Sequence, residues 1–196
     1  MTHYFTNDNT LKSEFRNLIY RYEDFNFNFT SDLGVFSKDR IDFASKLLIE
    51  NYFKYGHDHK KVLDVGCGYG LIGITLSKIK SCDVSMIDIN KRALHLSRMN
   101  AKDNKVEVNV FESNIYENVE EIFDVIITNP PIRAGKSVYM AILKEADKYL
   151  NVNGELWFVM NKDHGVKTVM KELASTYDLQ VLEKNKGFFV IICKKR

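Results

Sequence analysis

Four glycines, Gly66, Gly68, Gly70 and Gly73, fall in the segment Lys61-Val-Leu-Asp-Val-Gly-Cys-Gly-Tyr-Gly-Leu-Ile-Gly73. An apolar strand pattern runs into the first of them, and a helix pattern, Leu71 to Ile79, leaves the third. Without side chains, such a turn lets the backbone pass close to a ligand. In an open α/β sheet this turn is where a nucleotide-like cofactor binds. Asp88 closes the next strand pattern, about 20 residues on, where an acid can accept hydrogen bonds from ribose hydroxyls. Together these two signals fit a dehydrogenase nearly as well as other nucleotide-dependent enzymes.

Asn129-Pro130-Pro131 breaks the tie. It follows the apolar strand Asp124-Val-Ile-Ile-Thr128, and its two prolines are the only ones in the chain. Paired prolines make a rigid loop. Such a loop fixes the Asn129 amide oxygen and the Pro130 carbonyl, which can together accept both protons of a planar exocyclic amine. That holds the nitrogen in line with a methyl donor. Asp64, inside Val62-Leu-Asp-Val65, agrees with this chemistry. A carboxylate in an apolar strand needs a donor or a cation nearby. A cofactor bearing an ammonium and a sulfonium brings positive charge, whereas a dinucleotide pyrophosphate would be repelled.

The elements that must position these groups follow from periodicity. Phe25, Phe27 and Phe29 alternate with Asn26 and Asn28, a strand with an aromatic face, and Phe15 to Tyr20 reads as its hairpin partner. Residues 1–35 are therefore expected to form an N-terminal β extension before a domain over 36–196. Ser31-Asp-Leu-Gly34 reads as a turn, and Ser37 as the cap of a helix from Lys38 to Phe53. Strand patterns at Val62–Val65, Asp83–Asp88, Val106–Phe111 and Phe123–Thr128 alternate with helix patterns at Leu71–Ile79 and Lys91–Asn100 and a shorter one near Ile115–Ile122. A helix over Ser137–Leu150, a strand over Glu155–Met160 and a helix over Val166–Ser175 follow. Strands Leu179–Glu183 and Gly187–Cys193 close the chain as antiparallel neighbours around a short turn. The expected fold is α/β: a Rossmann-like, mostly parallel sheet with an antiparallel last strand and helices on both faces.

Composition narrows the class. With 45% apolar and 28% charged residues the 196-residue chain reads as one soluble globular domain with a small appendage. No apolar run approaches a membrane span, and no signal peptide is expected, so the cytoplasm is the default location. Cys67, Cys82 and Cys193 form no CxxC pair, so neither a metal site nor a disulfide framework is expected. The net charge of +2 permits a nucleic-acid partner only through local clustering. Arg133 and Lys136 flank the proline loop, and Lys162 follows a later strand; on one sheet edge with Ile132 they would rim a substrate site and hold RNA phosphates. His164 reads as a surface histidine, and Cys67, Trp157 and Phe158 as packing residues. The oligomeric state stays open, with a monomer favoured.

The ordered motifs resemble those of class I S-adenosylmethionine-dependent methyltransferases, and more closely the "methyltransferase small" family, which includes guanine-N2 methyltransferases of small-subunit ribosomal RNA. The resemblance extends through Gly34-Val-Phe-Ser37 and Asn153-Gly-Glu-Leu-Trp157, over about residues 25–193, and is to a stand-alone single-domain form. It implies a Rossmann-like methyltransferase fold and S-adenosylmethionine as cofactor, held by Asp64, Gly66, Cys67, Gly68, Gly70, Asp88, Ile89, Asn114, Ile115 and Asn129. It also implies catalysis by Asn129, Pro130 and Pro131, with an RNA partner. Two positions depart from the family: Ile132 stands where many relatives have an aromatic residue that could stack on the base, and Asn114 stands where an acid often meets the adenine. Adenine N6 and protein glutamine are alternative acceptors, and a non-enzymatic RNA-binding module on this fold is a third reading.

Overall fold

The computed structural model describes residues 12–58 and 60–196; residues 1–11 of the expected extension lie outside them. The chain opens with an antiparallel hairpin, β1 (Arg16–Tyr22) and β2 (Phe25–Ser31). One face of that hairpin is buried, with Phe27 and Phe29 essentially inaccessible, as the alternating pattern requires. Next come α1 (Phe43–Tyr55), β3 (Lys61–Val65), α2 (Leu71–Lys80), β4 (Asp83–Asp88), α3 (Lys91–Asp103), β5 (Asn109–Glu112) and β6 (Phe123–Thr128). Then follow α4 (Lys136–Glu145), β7 (Leu150–Asn161), α5 (Val166–Leu173), β8 (Tyr177–Asn185) and β9 (Phe188–Lys195).

The main sheet has the order β5-β4-β3-β6-β7-β9-β8. β5 through β7 run parallel, while β9 is antiparallel to both β7 and β8. Each central strand is buried on both faces, as a sheet covered by helices on each side demands. Val62, Val125, Ile127, Trp157 and Val159 pack toward α1, α2, α3 and the hairpin. Leu63, Ile126, Leu156, Phe158 and Met160 pack toward α4 and α5. β3 and β4 extend the sheet one way and β6 the other, so the order reverses between β3 and β6. That switch point is where the carboxyl ends of parallel strands open a crevice.

Three local expectations need correction. The first helix begins at Phe43, capped by Asp42, whose Oδ2 accepts the Ser45 N–H at 2.7 Å. Ser37 sits earlier, at φ +56°, and its hydroxyl donates to the Arg40 carbonyl, so it stabilises a turn and caps nothing. The segment 115–122 forms turns rather than a helix. There Ser113 Oγ and the Asn118 amide bind the backbone of Ile115, Asn118 and Glu112, taking groups a helix would need. Finally, α4 ends at Glu145, a 3₁₀ turn spans Ala146–Tyr149, and Leu150 already belongs to β7.

The hairpin docks on α3 by an unusual pairing. Asn100 and Asn104, one helical turn apart, each meet the β2 backbone with their side-chain amides. Asn100 accepts from Thr30 N at 2.7 Å and donates to Thr30 O at 2.9 Å. Asn104 accepts from Asn28 N at 3.1 Å and donates to Asn28 O at 2.8 Å. Two side chains thus take the place of a neighbouring strand and satisfy an edge. Phe29 also packs on Tyr69 of the glycine turn, ring centroids 5.7 Å apart.

Candidate active site

The crevice holds a cavity of about 470 Å³. That size suits a nucleoside-sized ligand. Its wall includes Gly66, Gly68, Asp88, Ile89, Asn114 and Ile115 on one side, and Asn129, Pro130, Pro131, Ile132 and Arg133 on the other.

On the first side the glycine turn leaves β3 and enters α2. Gly66 and Gly68 have φ of +73° and +57°. A Cβ built on Gly68 would touch nothing within 4 Å, and one on Gly66 would reach only Pro131 Cδ at 4.0 Å. Both bare backbones therefore face the open cavity, which is the cradle a close-lying ligand needs. Gly73 serves another end: a Cβ there would collide with Met86 Sδ, so it lets α2 press on the sheet. Gly70 packs likewise, against Ile74 and Ser97.

Asp88 presents its carboxylate to the cavity while Oδ2 accepts Gly68 N and Oδ1 accepts Asn90 N, each at 2.9 Å. Burial pushes its carboxyl up, and the N–H groups of Asn90, Gly68 and Ile89 pull it back down. Its oriented oxygens keep lone pairs for ligand hydroxyls. Asp64 lies deeper and off the wall. Its Oδ2 accepts Gly73 N at 2.9 Å, and its buried Oδ1 has no partner. Burial pushes the Asp64 carboxyl up to about 7; the Gly73 N–H opposes that shift and the Asp88 charge adds to it. Such an orphaned buried oxygen fits a ligand that carries positive charge close by. Cys67 also turns away from the cavity, its Sγ 3.6 Å from Ser97 Oγ. Residues that motif reading missed steady the turn: Ser97 Oγ donates to the Gly68 carbonyl at 2.8 Å and Asn100 to the Tyr69 carbonyl at 2.8 Å.

On the second side, Thr128 Oγ1 donates to the Val65 carbonyl at 2.8 Å and ties the end of β6 to that of β3. Asn129-Pro130-Pro131 then turns sharply. Ile132 N donates to Pro130 O at 2.8 Å across Pro131, whose φ and ψ of −74° and 79° are those of an inverse γ-turn. The Pro130 carbonyl accepts that bond with one lone pair and keeps the other. Asn129 Nδ2 donates to Asp42 Oδ2 at 3.0 Å and lies 2.9 Å from Ser45 Oγ. Its oxygen accepts no bond among the described residues.

The expected basic rim is partly assembled. Arg133 is exposed on the wall. Lys136 and Lys162 do not line the cavity, and Lys136 pairs with Glu172 at 2.9 Å. His164 does reach the cavity mouth. Phe36 and Phe188 give aromatic surface to the wall, and neither was singled out from the sequence as a site residue. Among the described residues no cluster of three or more His, Cys, Asp or Glu is placed to hold a metal, and no helix is long and apolar enough to cross a membrane.

A glycine cradle, an acid at the end of the next strand and an Asn-Pro-Pro turn at the switch point define a methyltransferase that uses S-adenosylmethionine. The chain belongs to the methyltransferase small domain family, whose pattern it matches over residues 26–192. It is 41% identical over 198 residues to the uncharacterised Bacillus subtilis protein YbxB, covering 98% of each chain. It is 38% identical over 133 residues to a ribosomal RNA small subunit methyltransferase C of Serratia proteamaculans, covering 65% of this chain and 38% of that protein. In structure it is similar to a T. thermophilus 16S rRNA N2 methyltransferase in complex with AdoMet and guanosine, with a TM-score of 0.83 and 25% identity over 95% of this chain and 52% of that one. The chain thus spans about half or less of the rRNA methyltransferases it matches.

Proposed function

We propose that the protein methylates the exocyclic N2 amine of a guanine in small-subunit ribosomal RNA. The observation that carries this reading is Asn129, on the cavity wall beside Pro130, with its amide nitrogen tied to Asp42 and Ser45 and its oxygen left without a partner among the described residues. S-adenosylmethionine supplies an activated methyl group on a sulfonium when bound. Gly66, Gly68, Asp88 and Asn114 would hold its nucleoside and amino-acid parts. The guanine amine would donate one proton to Asn129 Oδ1 and one to Pro130 O, which aims its nitrogen at the methyl carbon. The methyl group so supplied would pass to that nitrogen, with the electron pair of the bond given up left on sulfur. The nitrogen turns cationic, and both acceptors bind it more strongly in that state than in the ground state. Its extra proton then leaves to water, so no ionising base is required.

Phe36 and Phe188 would supply the aromatic surface that Ile132 does not. Relatives of known name act on small-subunit rRNA, and the T. thermophilus structure holds guanosine, which favours guanine over adenine or a protein amide as acceptor.

The test compares nucleosides from small-subunit rRNA of cells with and without the protein by mass spectrometry, then restores the modification in vitro with purified protein. Loss of one N2-methylguanosine that returns on addition supports the reading. An unchanged rRNA profile, with methylation found elsewhere, rejects it.

A further inference from the structure

Resting on that reading of Asn129, the geometry points to Asp42 as a positioning residue for methyl transfer, with Ser45 as its helper. Both come from the first turn of α1, 87 and 84 residues from Asn129 in sequence. Asp42 lies on the cavity wall, and Ser45 is 6% exposed. Asp42 Oδ2 takes two N–H bonds, from the Ser45 backbone at 2.7 Å and from Asn129 Nδ2 at 3.0 Å. Ser45 Oγ stands 2.9 Å from the same nitrogen.

The consequence follows from what each group can do. A carboxylate only accepts, so the Asn129 atom that meets it must be the NH₂ group. Both protons of that group are then engaged, and the amide cannot turn over. A flipped amide would set its oxygen against a carboxylate and its NH₂ against the incoming amine, donor facing donor. The pair therefore makes Asn129 an acceptor alone toward the cavity. The carboxylate also lies behind the amide and polarises it, so that its oxygen accepts more strongly as the substrate nitrogen gains charge.

Asp42 is also the N-cap of α1, and the test has to separate the two roles. Asp42→Ser keeps a good cap but removes the acceptor from Asn129. Ser45→Ala keeps the cap bond, because that bond comes from the backbone N–H. Methyl transfer from labelled S-adenosylmethionine is measured on small ribosomal subunits from cells lacking the protein, alongside calorimetric affinity for the cofactor. Asp42→Ser should lower kcat ~10-fold or more and Ser45→Ala ~2–5-fold, as loss of a charged and a neutral hydrogen bond implies, with cofactor affinity unchanged. In the Asn129→Ala background, Asp42→Ser should cost less than ~2-fold, since its effect passes through Asn129. An equal loss in both backgrounds, or an unchanged kcat in Asp42→Ser, overturns the assignment.

A second readout does not depend on the substrate. The Asn129 side-chain amide protons, identified in ¹⁵N spectra by their absence in Asn129→Ala, should exchange slowly in the wild type and fast in the Asp42→Ser, Ser45→Ala double variant. Fast exchange in the wild type, or no change in the variant, rejects the role of Asp42. Absence of methyl transfer to small subunits by the wild type would reject the rRNA reading while the amide protons still decide on Asp42.

Discussion

The two walls of the cavity hold their functional groups by different means. On the β3–β4 side, the two carboxylates are fixed by backbone N–H groups at most 20 residues away. Asp88 is held by N–H groups 2 and 20 residues away, and Asp64 by one 9 residues away. On the β6 side, Asn129 is held by side chains 87 and 84 residues distant, on α1. The first wall is a shape that a short motif can encode. The second wall aims one amide by a tertiary contact. Damage to the first should show in cofactor affinity, and damage to the second in turnover.

The largest effect should come from Asn129. Asn129→Ala should lower kcat at least ~100-fold, as removal of a preorganised transition-state hydrogen bond does, while cofactor affinity stays within about 2-fold. Single-turnover methylation and calorimetry measure the two quantities. A loss in affinity equal to the loss in kcat would erase the contrast between the walls. Asp88→Ala should do the reverse. It would remove the charged acceptor proposed for ribose hydroxyls and should weaken S-adenosylmethionine binding about 10- to 100-fold. Unchanged affinity in a folded variant would take the ribose role from Asp88.

The same contrast explains what could be read in advance. The glycine turn, Asp88 and Asn129-Pro-Pro131 stand at strand ends, and strand ends are legible because apolar runs stop there. The hairpin was legible from the alternation of Phe25, Phe27 and Phe29 with asparagines. The start of α1 was misread because Ser37 and Asp42 are both good capping residues, and the choice depends on a turn at φ +56° that no periodicity reports. Asp42 directly before the apolar run that opens at Phe43 was a usable N-cap signal for the helix but none for its reach to Asn129. Lys136 shows the same limit from the other side. Its place beside the proline loop suggested RNA, but α4 carries it to Glu172 on α5, a partner set by helix packing.

A third region sharpens the comparison by lying behind the first wall. Asn100→Ala would remove partners from the Thr30 N–H, the Thr30 carbonyl and the Tyr69 carbonyl. Stability should fall by about 2 kcal/mol, as unsatisfied backbone groups cost, and denaturant unfolding measures it. Turnover of the folded fraction should change little. A large fall in cofactor affinity would show that Asn100, through the Tyr69 carbonyl, also shapes the glycine cradle.

Asp64 gives a pH signature. Its carboxyl is raised to about 7 when folded, against about 4 for a free aspartate. A raised folded value means that the native state binds the proton more tightly. The stability this confers is fully present below about pH 4 and is lost as pH rises through about 7. Asp64→Asn keeps an acceptor for Gly73 N and cannot titrate. The urea midpoint of the wild type should therefore fall more than that of Asp64→Asn between pH 5 and 7.5. Parallel profiles would place the Asp64 titration elsewhere.

The smallest effect concerns the mouth of the cavity, where two neighbouring cations differ in their company. Arg133 is exposed on the wall, whereas Lys136 is tied to Glu172, which also binds Lys144. A cation free to meet a phosphate releases a counterion when RNA binds, and one already neutralised by a carboxylate releases less. Arg133→Ala should raise KM for small ribosomal subunits a few-fold and make the salt dependence of binding shallower by ~1 in the log–log slope. Lys136→Ala should leave that slope nearly unchanged. Filter binding across a salt series measures both. Equal changes would mean that RNA pulls Lys136 from Glu172 and that the rim is broader than the free protein shows. No change in either would move the phosphate contacts to another face.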